Sequence, residues 1–160
     1  MIDLTSLHSH SLFGGITEDQ IKKIHHFFKM EEFGEGDFIE REGENGDRIY
    51  FILEGGVEIL KLIEDTGEMS RIFQFSEGDV FGEMELIDVQ PCAASVRAIK
   101  PTKVLTLSNS GLYQISKYDL KVFSLIIMNL ARDISRRLRK ADKVMSLCPD
   151  IKNLMDSVDF

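Results

Sequence analysis

Between Phe33 and Leu107 apolar and polar residues alternate in short runs, and acidic, glycine-containing turns separate the runs. The turns are Gly34-Glu35-Gly36-Asp37, Glu42-Gly43-Glu44-Asn45-Gly46-Asp47, Gly55-Gly56, Asp65-Thr66-Gly67 and Glu77-Gly78-Asp79. Period-two runs between turns at roughly ten-residue intervals are the pattern of a β-sandwich or jelly roll. Strands are predicted near 37–41, 48–53, 56–63, 70–75, 93–99 and 102–107. Ahead of them, Thr17 and Gln20 have the spacing of a capping box, with Ile21, Ile24 and Phe28 following at helical intervals. After them, the pattern turns helical from Ser110 to Met145. Phe123, Ile127, Leu130, Ile134, Leu138, Ala141 and Met145 step by three or four residues and form one seam. This seam is longer than a small barrel covers, so the helix over 120–145 is expected to pair with a second copy of the chain. Pro149 stops it, and Ile151, Leu154, Met155 and Val158 predict a short tail helix within 149–160.

Composition sharpens the picture. The 160 residues suit one domain with a full core, 43% apolar and 29% charged. The longest aliphatic run near the C-terminus, Leu125-Ile126-Ile127-Met128, is too short to span a bilayer, and the first residues lack a signal-peptide pattern. Cys92 and Cys148 build no disulfide framework, so a reducing cytoplasm is expected. A net charge of −8 argues against nucleic-acid binding, which rests on phosphate neutralisation. Arg132, Arg136, Arg137, Arg139, Lys140 and Lys143 crowd one segment, but Asp133 and Asp142 flank them, and a solvated helix face is expected.

The candidate chemistry lies between Phe81 and Ala98, Phe-Gly-Glu-Met-Glu-Leu-Ile-Asp-Val-Gln-Pro-Cys-Ala-Ala-Ser-Val-Arg-Ala. A glycine turn entering a short helix offers backbone N–H groups that lack intrahelical partners and carry partial positive charge. Gly82 permits a close backbone approach. This segment resembles the phosphate-binding cassette of cyclic-nucleotide-binding domains, in which Phe-Gly-Glu opens a helix and a Pro-Arg-x-Ala-Ser/Thr segment follows. Glu42 to Asp47 with Ile49-Tyr50-Phe51-Ile52, and Gly56-Val57, also look like that family's turn, strand and hairpin. The resemblance covers 12–145, with a barrel over about 33–107 and C-terminal helices over about 110–147. It implies a double-stranded β-helix (jelly roll), mainly β with flanking helices, of the kind found in catabolite activators and protein kinase A regulatory subunits.

By that resemblance the ligand site comprises Phe81, Gly82, Glu83, Met84, Glu85, Cys92, Ala93 and Ser95. Glu83 would accept a ribose 2′-hydroxyl, and the N–H groups of Met84 and Ala93 would face the phosphate. Ala141 and Asp142, following Arg136-Arg137-Leu138, hold the base-facing positions, and Leu154 or Met155 is a candidate lid. Two residues depart from the pattern. Cys92 stands where the family carries arginine, and Glu85 stands where it carries a small residue. Removing one partner of a buried charge pair costs roughly 2–5 kcal/mol, or about 1.5 to 3.5 decades of affinity. A carboxylate about 4 Å from a phosphate adds up to roughly 4 kcal/mol of repulsion at an effective dielectric of 20. Arg97 has the wrong strand parity to replace the missing cation. Two placements of Glu85 are open: its side chain points into solvent, or its carboxylate folds onto the vacated N–H groups as a built-in anion.

Other residues carry less. His8, His10, His25 and His26 lack neighbouring cysteines, and adjacent His25 and His26 face different sides of a helix, so no metal is expected. Cys92 beside N–H donors is a candidate for a lowered thiol pKa and redox sensitivity, against the plainer reading of a small half-buried thiol. No nucleophile–base pair, Walker loop or acid pair marks an enzyme. The expectation is a stand-alone regulatory or sensor domain that binds cyclic AMP or cyclic GMP weakly and passes its output to an effector protein. The alternatives are a ligand-independent interaction or scaffold module on the same fold, and a sensor of a less anionic small molecule.

Overall fold

The computed structural model describes residues 10–147. Eight strands form two four-stranded antiparallel sheets. One has the order β1 (Phe28–Phe33), β8 (Thr102–Ser108), β3 (Arg48–Glu54), β6 (Val80–Phe81). The other runs β2 (Phe38–Glu40), β7 (Ser95–Ala98), β4 (Gly56–Leu62), β5 (Met69–Ser76). Helices α1 (Glu18–Ile24), α2 (Glu83–Asp88), α3 (Asn109–Tyr118) and α4 (Leu120–Ser146) flank them. This is the expected jelly roll with helices before and after it.

Strand β3 explains how the core divides. Ile49 and Phe51 point one way along it, into a cluster with Phe13, Phe28, Leu105, Leu107, Val122 and Ile126 that joins the sheet to the helices. Tyr50 and Ile52 point the other way, between the two sheets, with Val57, Phe81, Val96 and Val104. A strand covered on both faces reads as a continuous apolar run, which is why residues 49–52 show no alternation.

Several boundaries differ from the sequence reading. The capping box at Thr17 forms: its side chain accepts from the Gln20 N–H, and the Gln20 side chain accepts from the Thr17 N–H. The helix stops at Ile24, however, and after a 3-10 turn Phe28 opens β1 rather than continuing a helical stripe. Six residues of β1 pair with β8, so the sheets start at Phe28 and not near 33. The alternation in β1 is blurred because Phe28 and Met30 are followed by Glu31, Glu32 and Phe33.

The C-terminal helical region is broken at Asp119, whose side chain caps α4 by accepting from the Val122 N–H at 3.0 Å. The seam along α4 is offset from the expected one. Its buried residues are Val122, Ile126, Asn129 and Leu130. Asn129 donates from Nδ2 to the carbonyls of Leu12 at 2.7 Å and Gly14 at 2.9 Å, tying the first turn to α4. Beyond Leu130 the expected seam residue Leu138 is 60% exposed. No helix among the described residues is long and apolar enough to cross a membrane.

Candidate functional site

Phe81 anchors the Phe-Gly-Glu turn. Its ring is buried between the sheets and stacks on Tyr50 with centroids 4.6 Å apart. Gly82 then takes a left-handed conformation, φ +76°. A Cβ there would lie 2.6 Å from the Arg48 carbonyl oxygen, so both backbone angle and space require glycine. The chain enters α2 immediately, and α2 ends at Val89, again left-handed at φ 57°. The following segment is pinned to the 42–47 turn. The Cys92 N–H donates to the Glu44 carbonyl at 2.8 Å, and the Gly43 N–H donates to the Cys92 carbonyl at 2.9 Å.

Three acidic side chains meet here, and each has a different neighbourhood. Glu85 is 7% exposed, and its Oε1 accepts from the Ala93 N–H at 3.0 Å. The carboxylate thus lies on one of the two N–H groups that the resemblance assigns to a phosphate. Gly46 makes room for it: a Cβ on Gly46 would stand 2.8 Å from Glu85 Cβ and Cγ and 3.1 Å from Cys92 Sγ.

Glu83 is buried and accepts from Arg137 Nη1 on α4 at 3.0 Å. Burial raises its pKa and the Arg137 charge opposes the rise. Arg137 also donates to the Val80 carbonyl, pairs with Asp133 at 2.8 Å and lies over the Phe75 ring at 4.5 Å. Arg137 therefore clamps α4 to the cassette and is no part of a solvated face. Its position one helical turn beyond Asp133 was the only sequence signal for that role.

Glu40, on β2, escaped the sequence reading. It is buried, and burial first, then Glu85 and Glu83, push its pKa up to about 8.

The remaining site residues separate. Cys92 is buried, and burial followed by Glu40 and Glu85 pushes its thiol up to about 11, opposite to the candidate lowered pKa and in line with the plainer reading of a small structural thiol. Ser95 is buried and its Oγ accepts from the Glu42 N–H at 2.9 Å. The Met84 side chain and Ala93 are exposed. Ala141 is half-buried, Asp142 is exposed, and Leu154 and Met155 lie outside the described residues. Arg97 pairs with Glu58 at 2.6 Å, away from the cassette as its strand parity required. Lys61, unforeseen, donates to the Ala93 carbonyl at 2.6 Å. His25 and His26 are exposed, whereas His10 is buried, its Nε2 has no hydrogen-bond partner among the described residues, and burial lowers its pKa. No three His, Cys, Asp or Glu side chains among the described residues are arranged to hold a metal.

Residues 30–119, more than half of the chain, match the family described as cyclic nucleotide-binding domain. The chain belongs to this family. Three relatives show the range of proteins that share the cyclic nucleotide-binding domain. The cGMP-dependent protein kinase egl-4 of Caenorhabditis briggsae is 34% identical over 102 residues, 63% of this chain and 14% of the kinase. This chain therefore spans a small part of that relative's length. A cyclic nucleotide-binding domain from Methylobacillus flagellatus KT superposes with a TM-score of 0.79 at 26% identity, covering 89% of this chain and 80% of that one. The regulatory subunit of a cAMP-independent protein kinase A from Trypanosoma brucei, a triple mutant bound to cAMP in the A site, superposes with a TM-score of 0.68 at 25% identity. That match covers 81% of this chain and 44% of that one. The family is of the regulatory type, and kinases among the relatives share only this kind of domain.

Proposed function

We propose that this is a regulatory domain whose cassette anion site is filled by its own Glu85, so that cyclic AMP and cyclic GMP bind only weakly. The observation that carries the reading is the bond from the Ala93 N–H to Glu85 Oε1 at 3.0 Å. An incoming phosphate has to displace a buried carboxylate and meets no arginine at position 92. The local balance of charge favours a ligand less anionic than a cyclic nucleotide, since the charges of Glu85 and Glu83 help burial raise the pKa of Glu40, and that of Glu85 adds to the rise at Glu83.

The trypanosome mutant supports the choice of residues. In that cAMP-independent protein, the cAMP-bound form carries glutamate replaced by alanine, threonine by arginine seven positions later, and valine by alanine next to it. Glu85 and Cys92 are also seven positions apart, and the next residue, Ala93, is already alanine.

Titration calorimetry tests the reading. Dissociation constants for cyclic AMP and cyclic GMP weaker than about 100 μM are expected. The double variant Glu85→Ala, Cys92→Arg is expected to gain at least tenfold. A low-micromolar constant for the unmodified chain refutes the proposal.

Signal output is proposed to pass through α4. Arg137 couples it to Glu83, and past Leu130 its apolar residues Leu138 and Val144, with Leu147 just after its end, are exposed. We place a second copy of the chain on that stretch, with an effector protein reading the position of the helix. Sedimentation equilibrium of the chain and of Leu138→Glu tests the pairing. A monomer in both cases overturns it.

A further inference from the structure

Beneath the cassette, on the side of Cys92, lies a cavity of about 280 Å³. Phe33, Ile39 and Tyr50 line it together with Glu40, while Gly46 and Cys92 lie at its cassette end, and the charged Glu31, Arg41, Glu44, Asp47 and Arg48 also line it. Glu40 is 8% exposed, and no hydrogen-bond or ion-pair partner among the described residues reaches its carboxyl group. A buried acid without a partner is costly and uncommon, and in a cleft it marks a place where a ligand completes the pairing.

The cations that line the same cavity are engaged elsewhere. Arg48 pairs with Asp47 at 2.8 Å and with Glu31 at 3.3 Å. Arg41 lies over the Phe38 ring at 4.2 Å. Glu83 and Glu85 already have partners in Arg137 and the Ala93 N–H, so Glu40 is the member of the acidic group left open. Cys92 lines the cavity with a side chain shorter than the arginine of the family's pattern.

We propose that this cavity is a binding site for a small organic cation, an amidine or protonated amine, with the Glu40 carboxyl group, which gives up its proton on binding, as its counter-ion. A metal ion suits the site poorly, since hard cations gather six or more oxygens and the carboxylates among the described residues are nowhere arranged in threes to hold one. The volume also exceeds the needs of a bare ion. The proposal rests on Glu40 and the cavity and stands whether or not a cyclic nucleotide binds the cassette.

The test uses benzamidine as the cation, with benzamide and benzoate as neutral and anionic molecules of nearly the same shape. Each is titrated into the 160-residue chain while backbone amide NMR shifts are recorded. Benzamidine is expected to shift the amides of Ile39 to Arg41 and Cys92 saturably in the millimolar range or below. Benzamide is expected to bind at least tenfold more weakly and benzoate not at all. Glu40→Gln, which keeps the shape of the side chain, is expected to weaken benzamidine at least tenfold. Equal binding of benzamide and benzamidine, shifts confined to other surfaces, no shifts, or indifference to Glu40→Gln each overturns the proposal. The comparison among the three probes needs no variant, so a poorly folded Glu40→Gln leaves the test intact.

Discussion

Arg137 Nη1 lies 3.0 Å from Glu83 Oε1, joining the middle of α4 to the first residue of the cassette helix. The two residues are 54 positions apart, and their pairing ties α4 to the cassette. Truncating Arg137 strands a buried carboxylate, a carbonyl and an aromatic face together. Arg137→Ala is expected to cost about 2–3 kcal/mol, toward the low end for a broken buried pair because a quarter of the Arg137 side chain is exposed. Arg137→Lys is expected to recover only part, since a single ammonium cannot serve Glu83, Val80 and the Phe75 ring at once. Urea denaturation measures both, and a change below about 0.5 kcal/mol in Arg137→Ala, the size of an ordinary surface substitution, removes the clamp from the account.

Glu85→Ala leaves the Ala93 N–H without its acceptor and is expected to destabilise by about 1–3 kcal/mol. It also clears the anion site. The variant is therefore expected to be stabilised by millimolar cyclic AMP in a thermal melt while the unmodified chain is not. Equal responses of the two proteins contradict the occupied-site reading.

At position 82, alanine is expected to be severely destabilising. The left-handed backbone alone costs about 1–3 kcal/mol, and the added Cβ collides with the Arg48 carbonyl. A melting temperature within a few degrees of the parent's would show that the turn relaxes freely.

Val89 offers the reverse case. It is a β-branched residue at φ 57°, three-quarters exposed, so it bears strain with little burial in return. Val89→Gly is expected to gain about 0.5–1 kcal/mol, the left-handed penalty of about 1–2 less the glycine entropy of about 0.5–1. A loss of stability on chemical denaturation rules this out.

The pH dependence follows from Glu40. Its folded pKa of about 8 lies above the ordinary 4.5, so between those values the folded protein holds a proton that the unfolded chain has released. Stability from this group falls as pH rises through that window, by at most about 1.4 kcal/mol per unit. Glu85, Glu83 and Asp47 push the group upward and Arg48 opposes them. Glu83 adds a slope of the same sign, and His10, its pKa lowered, acts in the opposite sense below 6.5. Both are common to the parent and to Glu40→Gln, so the difference between the two proteins isolates Glu40. The variant's stability relative to the parent is expected to increase from pH 5 to pH 8.5. A difference that stays flat across that range means Glu40 is not held protonated.

Much of this protein is determined by its sequence alone. The spaced glycine turns, the double-faced run at 49–52 and the capping box at Thr17 act through local backbone preference and side-chain period, which are visible residue by residue. The same is true of the two departures at Glu85 and Cys92, because a missing charge is a property of composition at a position. Tertiary structure alone decided what those charges touch. That Glu85 reaches the Ala93 N–H depends on Gly46 leaving space for it, and that Glu40 faces a cavity depends on how two sheets close around Tyr50. It also turned Arg137 from one of several basic residues into the clamp on Glu83, and offset the seam of α4 by placing Asn129 among its buried residues. Burial and partnership are set by elements far apart along the chain, and the desolvation and pairing that shift a carboxylate's titration exist only once those elements have packed.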